Sequence, residues 1–171
     1  MAKSLIPKPL QKYLAKLDIK AEAVVHKTVF TAYDLAKTTA LKLDDIAKTI
    51  LLKVEPYYEK DGKKFKYIIA ALPASHQLDL AKLKKLLKVK KVSIPQEKVM
   101  AKLYKVKAGA LTAFGKIHDE TPVVVDKALL KSKKILARSG SFTASLFMKG
   151  KDFLKASEGK VMVFAKRSKK K

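Results

Sequence analysis

Thr49-Ile50-Leu51-Leu52-Lys53-Val54 is a run of β-forming residues, and Phe65-Lys66-Tyr67-Ile68-Ile69-Ala70-Ala71-Leu72 is a second one. Asp61-Gly62, a turn signal, stands between them. Residues 49–57 and 64–72 are therefore expected to pair as a hairpin. Upstream, Leu10, Tyr13, Leu14 and Leu17 follow Pro9 at helical spacing and predict an amphipathic helix. Ala23 to His26 reads as a short strand. Thr31 to Asp34 resembles a capping box opening a helix to about Leu41, and Asp44-Asp45 suits the start of a short helical turn. Downstream, Pro73 to Gln77 reads as loop. Asp79 caps a basic helix over Leu80 to Leu87, Val89 to Ile94 is a short strand, and Pro95 opens a helix to about Tyr104. Ala108 to Gly115 is a loop and Pro122 to Asp126 a buried strand. Lys134 to Ala137 and Phe142 to Phe147 are further strands, Asp152 to Leu154 a short helix, and Val161 to Ala165 a last strand before the basic run Lys166 to Lys171. Interspersed helices and strands around a hairpin predict one α/β domain with a mixed sheet.

The chain has 171 residues, 48% of them hydrophobic, with six Gly and six Pro. This suits a single domain with a real core and excludes a disordered or fibrous chain. Without cysteine there is no disulfide, iron–sulfur cluster or thiol nucleophile. No apolar run reaches the ~18–20 residues of a membrane span, and Met1 to Lys8 lacks the apolar core of a signal peptide. A cytoplasmic protein with no membrane partner is expected.

Lys and Arg number 39 against 15 acidic residues, a formal net charge of +24. Two of the 39 are arginines, Arg138 and Arg167, which leaves 37 lysines. Such a field attracts polyanions. Lysine is a point charge, whereas base reading in a duplex favours the planar arginine fork. The composition thus suits a phosphate backbone bound without sequence reading; a lysine coat serving solubility alone is the competing interpretation.

Common catalytic signatures are absent: no Gly-x-Gly-x-x-Gly, no Walker loop, no Gly-x-Ser-x-Gly elbow. His26, His76 and His118 have no metal-ligand spacing. Two stretches stand out. Lys48 lies where a helical turn feeds the first hairpin strand, so its backbone is fixed while its ammonium can reach a cleft. It is equally one lysine among many. Gly109-Ala110-Leu111-Thr112-Ala113-Phe114-Gly115 sets small residues between two glycines, which lets backbone N–H groups approach a ligand oxygen, although an ordinary connecting loop has the same composition.

At these residues the sequence resembles the YbaK-like aminoacyl-tRNA deacylases, which are related to the editing domain inserted in bacterial prolyl-tRNA synthetases. The similarity runs from about residue 5 to 156. It includes His26, Ala47-Lys48-Thr49-Ile50-Leu51-Leu52, Leu72-Pro73 with Leu78 to Leu83, and the 109–115 loop, similar to a Gly-x-x-x-Pro-x-Gly motif. Pro122 to Asp126 and Ser139-Gly140 complete it. Six motifs in the right order make the signal specific. Two positions depart from the family: Ala113 replaces the motif proline, and Ser145 stands where some members carry an acidic residue.

The resemblance implies a compact α/β fold with a mixed, barrel-like sheet surrounded by helices over residues 1–158, followed by a last strand and basic tail over 159–171. It implies hydrolysis of the ester of a mischarged tRNA, without metal or cofactor, and partners that are the mischarged aminoacyl-tRNA and an aminoacyl-tRNA synthetase. By the same resemblance Lys48 engages the terminal adenosine and its phosphate, and Gly109 and Ala110 supply backbone to the aminoacyl carbonyl and attacking water. His26, Thr49, Pro73, Thr112, Gly115, Ser139, Gly140 and Ser145 are the expected substrate-binding positions. The chemistry fits: an aminoacyl ester is already activated, and oriented donors plus a water can hydrolyse it. A non-catalytic tRNA-binding module that retains the fold is the alternative.

Overall fold

Apolar residues on both faces of one long hairpin organise the chain. The computed structural model describes residues 5–106 and 110–168. In chain order the elements are α1 (Lys8–Lys16), β1 (Glu22–Val25), α2 (Ala32–Thr39), β2 (Ala47–Lys60), β3 (Lys63–Pro73), β4 (His76–Leu78), α3 (Leu80–Leu87), β5 (Lys91–Ser93) and α4 (Glu97–Tyr104). Then follow β6 (Val123–Asp126), β7 (Lys134–Arg138), β8 (Ala144–Lys149), α5 (Gly150–Ser157), β9 (Lys160–Met162) and β10 (Ala165–Arg167).

The expected hairpin is β2–β3, closed at Asp61-Gly62 with φ of 51° and 77°. Two positive φ angles give the turn the twist of its strands. The register runs from Ala47 opposite Pro73 to Lys53 opposite Tyr67, slips, and resumes at Tyr58 opposite Phe65. Pro56 lies within the slip, where a residue lacking an N–H cannot extend the ladder. Around the hairpin the sheet order is β5-β2-β3-β6-β9. The β3–β6 and β6–β9 pairs are parallel and the other two antiparallel, so the sheet is mixed. A three-stranded antiparallel sheet, β1-β8-β7, is linked to it by a parallel bridge between Ile46 and Leu136.

Side-chain alternation divides β2 and β3 between two cores. Leu51, Ile69 and Ala71 face the main one, with Val123 and Val125 of β6, Ala137, Ala144 and Leu146 of the small sheet, α1 and α5. Leu52, Ile68, Ala70 and Leu72 face the other way, under Leu83 and Leu87 of α3 and Phe164. A third cluster packs Leu35 and Ala36 of α2 on Ile46 and Leu136. Leu10 and Leu14 of α1 are buried, each contributing roughly 2 kcal/mol.

Side-chain caps start two of the five described helices, α2 and α3. Thr31 Oγ1 accepts the Asp34 N–H and Asp79 Oδ1 accepts the Lys82 N–H, the arrangement that satisfies otherwise orphaned donors. α2 ends at Thr39, earlier than expected, because Ala40 takes a left-handed φ of 59°.

The structure corrects three expectations. The mixed sheet expected to be barrel-like does not close: the described strands form sheets of five, three and two. The segment read as loop over residues 73–77 contains the start of β4, which pairs with β10. The single last strand expected over 161–165 is two strands, because the chain turns at Phe164. Asp126 makes that turn: its Oδ2 accepts the N–H groups of Phe164 (2.8 Å) and Ala165 (2.7 Å), while Oδ1 accepts that of Ala128 (2.9 Å). No described helix is long and apolar enough to cross a membrane.

Asp126 is 1% exposed, so removing its oxygens strands buried N–H groups at about 1–3 kcal/mol each. Asp126→Ala is expected to lower the unfolding free energy by about 3 kcal/mol, with Asp126→Asn intermediate because one carbonyl oxygen survives. Urea titration followed by circular dichroism checks this, and an Asp126→Ala midpoint equal to wild type would contradict it.

Candidate active site

The β7–β8 connection gathers most of the expected substrate-binding positions. Arg138 and Val24 both lie opposite Ser145, so the three share one face of the small sheet. His26 continues from β1, its N–H donating to the Thr143 carbonyl at 2.9 Å. Its Nε2 is 2.9 Å from Ser145 Oγ and its Nδ1 is 2.8 Å from the Lys27 carbonyl. A carbonyl only accepts, so Nδ1 carries the proton and Nε2 accepts from the Ser145 hydroxyl. Ser139 Oγ donates to the Ala144 carbonyl at 2.6 Å and accepts the Ser141 N–H, closing the turn.

Gly140 is where the 110–112 segment meets this turn. Its φ is +95°, and a Cβ there would lie 3.9 Å from Thr112 Cγ2 and 4.0 Å from the Ala110 carbonyl oxygen. Ala110 and Thr112 are buried against it. Thr112 Oγ1 accepts the Phe114 N–H and is hydrogen-bonded to His118 Nε2 at 2.8 Å. Gly115 is packed too tightly for any side chain, since a Cβ would stand 1.9 Å from the Thr121 carbonyl oxygen. Its local contact is therefore with backbone of its own fold. Gly109 lies outside the described residues.

Lys48 and Thr49 leave opposite faces of β2. Thr49 pairs with Ala71 on the main-core face, the face of the 110–114 segment, and its buried Oγ1 has no hydrogen-bond partner. Lys48 pairs with Leu72 on the other face. Through the Ile46–Leu136 bridge this is the face of Arg138 and Ser145. The Lys48 ammonium donates to the His76 carbonyl at 2.8 Å, and burial lowers its pKa from the usual lysine value. Pro73, opposite Ala47, is buried at the end of β3.

The structure therefore joins His26, Ser139, Gly140 and Ser145 with Ala110 and Thr112, and holds Lys48 and Thr49 on the neighbouring strand. Sequence reasoning missed Arg138. It is 6% exposed; one terminal nitrogen donates to the Val29 carbonyl at 3.3 Å and the other, NH1, has no partner. Burial lowers its pKa. The signal was present, since Arg138 is one of two arginines amid 37 lysines. A cleft of about 760 Å³ opens beside Phe142, lined by Thr28, Phe30, Phe142, Thr143 and Ala101, with Glu97 and Lys98 of α4 at its edge. The Phe30 and Phe142 rings pack at a tilt of 54° with centroids 4.9 Å apart, and the Arg138 guanidinium lies 6.0 Å from the Phe142 ring. The site thus offers an apolar cleft, a polar His–Ser pair, a buried cation and a turn of closely approached backbone, a combination that can seat a small polar acyl group and orient a water on it.

Comparison with known proteins bears on what occupies such a site. Residues 26–156 match the family described as the aminoacyl-tRNA editing domain. The chain is 26% identical over 151 residues to the prolyl-tRNA editing protein ProX of Acetoanaerobium sticklandii, spanning 85% of this chain and 88% of that protein. A crystal structure of a hypothetical protein superposes with a TM-score of 0.81 at 16% identity, covering 93% of this chain and all of the other. One named as a candidate trans-editing enzyme for prolyl-tRNA synthetase superposes with a TM-score of 0.75 at 16% identity, covering 94% and 99%. At these identities the structures establish the likeness of fold.

His118, beneath Thr112, ties the 110–118 segment to α4: its ring lies 5.3 Å from that of Tyr104. Burial pushes its pKa down to about 4, with Asp119 opposing. The unfolded chain takes up this proton near pH 6.5, the folded one near 4, so acidification across that window favours unfolding. This residue alone is expected to remove ~3 kcal/mol of stability between pH 7 and pH 4. Urea unfolding across that range checks it; His118→Asn should flatten the pH dependence, and identical slopes in variant and wild type would refute the assignment.

Proposed function

The chain belongs to the aminoacyl-tRNA editing domain family, and from that premise we propose that it works in trans, in the cytoplasm, on a mischarged prolyl-type tRNA alongside a synthetase. Its reaction is deacylation of aminoacyl-tRNA. Water adds to the ester carbonyl carbon, the bond to the ribose oxygen breaks, and that oxygen takes the proton released by the water. The named activity of the ProX relative supports the prolyl-tRNA assignment. A purely RNA-binding module is not favoured beside it.

The observation that carries the reading is the meeting of Ala110 and Thr112 with Gly140 beside the His26–Ser145 pair. Backbone at Gly109 and Ala110 would hold the carbonyl oxygen as it becomes an oxyanion, a donor of that kind contributing ~3 kcal/mol. His26, Ser145, Thr49, Thr112, Ser139 and Gly140 would shape the aminoacyl pocket, while Gly115 and Pro73 hold its walls. Lys48 would release the His76 carbonyl and take the phosphate of the terminal adenosine. Binding energy from that end then positions the scissile bond.

Wild-type protein is expected to release the amino acid from at least one mischarged tRNA of the proline type while sparing the correctly charged tRNA. Lys48→Ala is expected to slow single-turnover hydrolysis by about 100-fold, the scale of a mispositioned reacting group, without shifting the thermal midpoint. Lys48→Arg should be nearly as slow, because the guanidinium differs in shape. Measuring acid-precipitable label over time on a panel of aminoacyl-tRNAs decides the matter. No deacylation of any member would end the reading, and a wild-type rate in Lys48→Ala would end the role of that lysine.

A further inference from the structure

A second concave surface lies at the far end of the β7–β8 pair. A cleft of about 760 Å³ is lined by Lys42, Lys131, Lys133 and Lys134 together with Asp44, Asp45, His76 and Arg167. An adjoining groove of about 390 Å³ shares Lys133 and Lys134 with it and adds Lys149 and Lys151. All six lysines are exposed, and none of them forms an ion pair among the described residues. Of the two carboxylates within the cleft, Asp44 is ion-paired and Asp45 is held by a neutral hydroxyl. Asp44 accepts both terminal nitrogens of Arg167, at 3.1 and 3.3 Å, and the Ser75 hydroxyl. Asp45 accepts the Ser132 hydroxyl at 2.6 Å. Lys134 lies over the Phe147 ring, 5.4 Å from its centre.

The surface is therefore a strip of six lysines whose charge outweighs the nearby carboxylates Asp45 and Glu22, and the excess repels itself until a polyanion neutralises it. Its placement is specific. On β7 and β8 the opposed pairs are Arg138–Ser145, Leu136–Phe147 and Lys134–Lys149. Side chains two residues apart share a face, so these pairs form one row, whose middle residue Leu136 is buried beneath Leu35 and Ala36 of α2. Lys134 and Lys149 end it roughly 13 Å from Arg138–Ser145, at ~3.3 Å per residue. His76, whose carbonyl holds Lys48, lines the same cleft.

We propose that this lysine strip is the docking track for the phosphate backbone of the RNA whose 3′ end enters the candidate site. The inference rests on the aminoacyl-tRNA reading and assigns where the rest of the substrate lies. Flexible lysines suit irregularly spaced phosphates and read no bases. An acidic protein segment would also meet the charge, but it would make no use of His76, which lines the cleft and whose carbonyl holds Lys48 of the candidate site.

The test uses the full chain and an unacylated acceptor-stem RNA hairpin ending in a single-stranded CCA, so that binding is read without hydrolysis. The triple variant K133Q/K134Q/K149Q is compared with K82Q/K84Q/K85Q, which removes the same charge from exposed positions of α3. The track variant should bind on the order of 100-fold more weakly at 0.15 M salt. Its slope of log affinity against log salt should shrink by about 2–3, at ~0.7–0.9 for each phosphate that is no longer neutralised. The α3 variant should lose far less of either, and equal thermal midpoints confirm that both are folded. Equal losses in the two variants would overturn the track in favour of a diffuse field. A polyglutamate peptide of matched charge that binds wild type as tightly as the hairpin, and loses that binding in the track variant, would overturn RNA as the occupant. Track-dependent hairpin binding by a protein that hydrolyses no ester would defeat the deacylase reading alone. Deacylation with no track dependence would defeat the track alone.

Discussion

The carboxylate of Asp126 is the constraint on which the arrangement around Lys48 depends. It ends the most buried strand and accepts three backbone N–H groups, one from the turn that follows and two from the corner at Phe164. A buried acceptor used three times leaves those donors no competing solvent, so the corner has one geometry. That corner separates β9, which extends the large sheet, from β10, which crosses to β4. β4 in turn carries the His76 carbonyl that receives the Lys48 ammonium. Residues 160–167, beyond the segment matched to the family, are thereby built into the scaffold behind the site.

The site itself is shaped by the alternation of side chains along strands. Thr49 and Lys48 are neighbours in sequence yet serve different faces, one toward the 110–114 segment and the other toward the face shared with Ser145 and Arg138. Where two sheets meet at the Ile46–Leu136 bridge, positions far apart in the chain come onto one surface. The electrostatic contrast is as marked. Thirty-seven lysines are spread over the chain, whereas Ser145 and Arg138 of the site are buried, Ser145 fully covered and Arg138 with one nitrogen unpaired. A buried donor without a partner costs free energy, which the fold sustains next to an apolar cleft.

Much of the fold was legible because its signals are local. Asp61-Gly62 dictates a tight turn through its own backbone, Asp79 and Thr31 cap helices within three residues, and the apolar run before Asp126 can only be a buried strand. β4 and the split at Phe164 were not legible, since both depend on partners far along the chain. That the sheets stay open was not legible either, because edges are set by how strands register and twist and not by their composition. Lys48, His26, Ser145 and Gly140 could be singled out through motif order. Their contacts could not, and Arg138, though marked out as one of two arginines, shows nothing of its burial in the sequence.

The sequence by itself determined the mixed α/β class, the central hairpin, the strong positive charge and the residues that resemble an editing family. These follow from propensity, periodicity and counting, which act within a few residues of the chain. Only the tertiary structure decided that Lys48 rests on a backbone carbonyl and Thr49 turns away from it, that His26 holds Ser145, and that six lysines from separate segments form one strip. Those are contacts between residues up to 119 positions apart, and they exist only once burial of the apolar faces has brought the two sheets together.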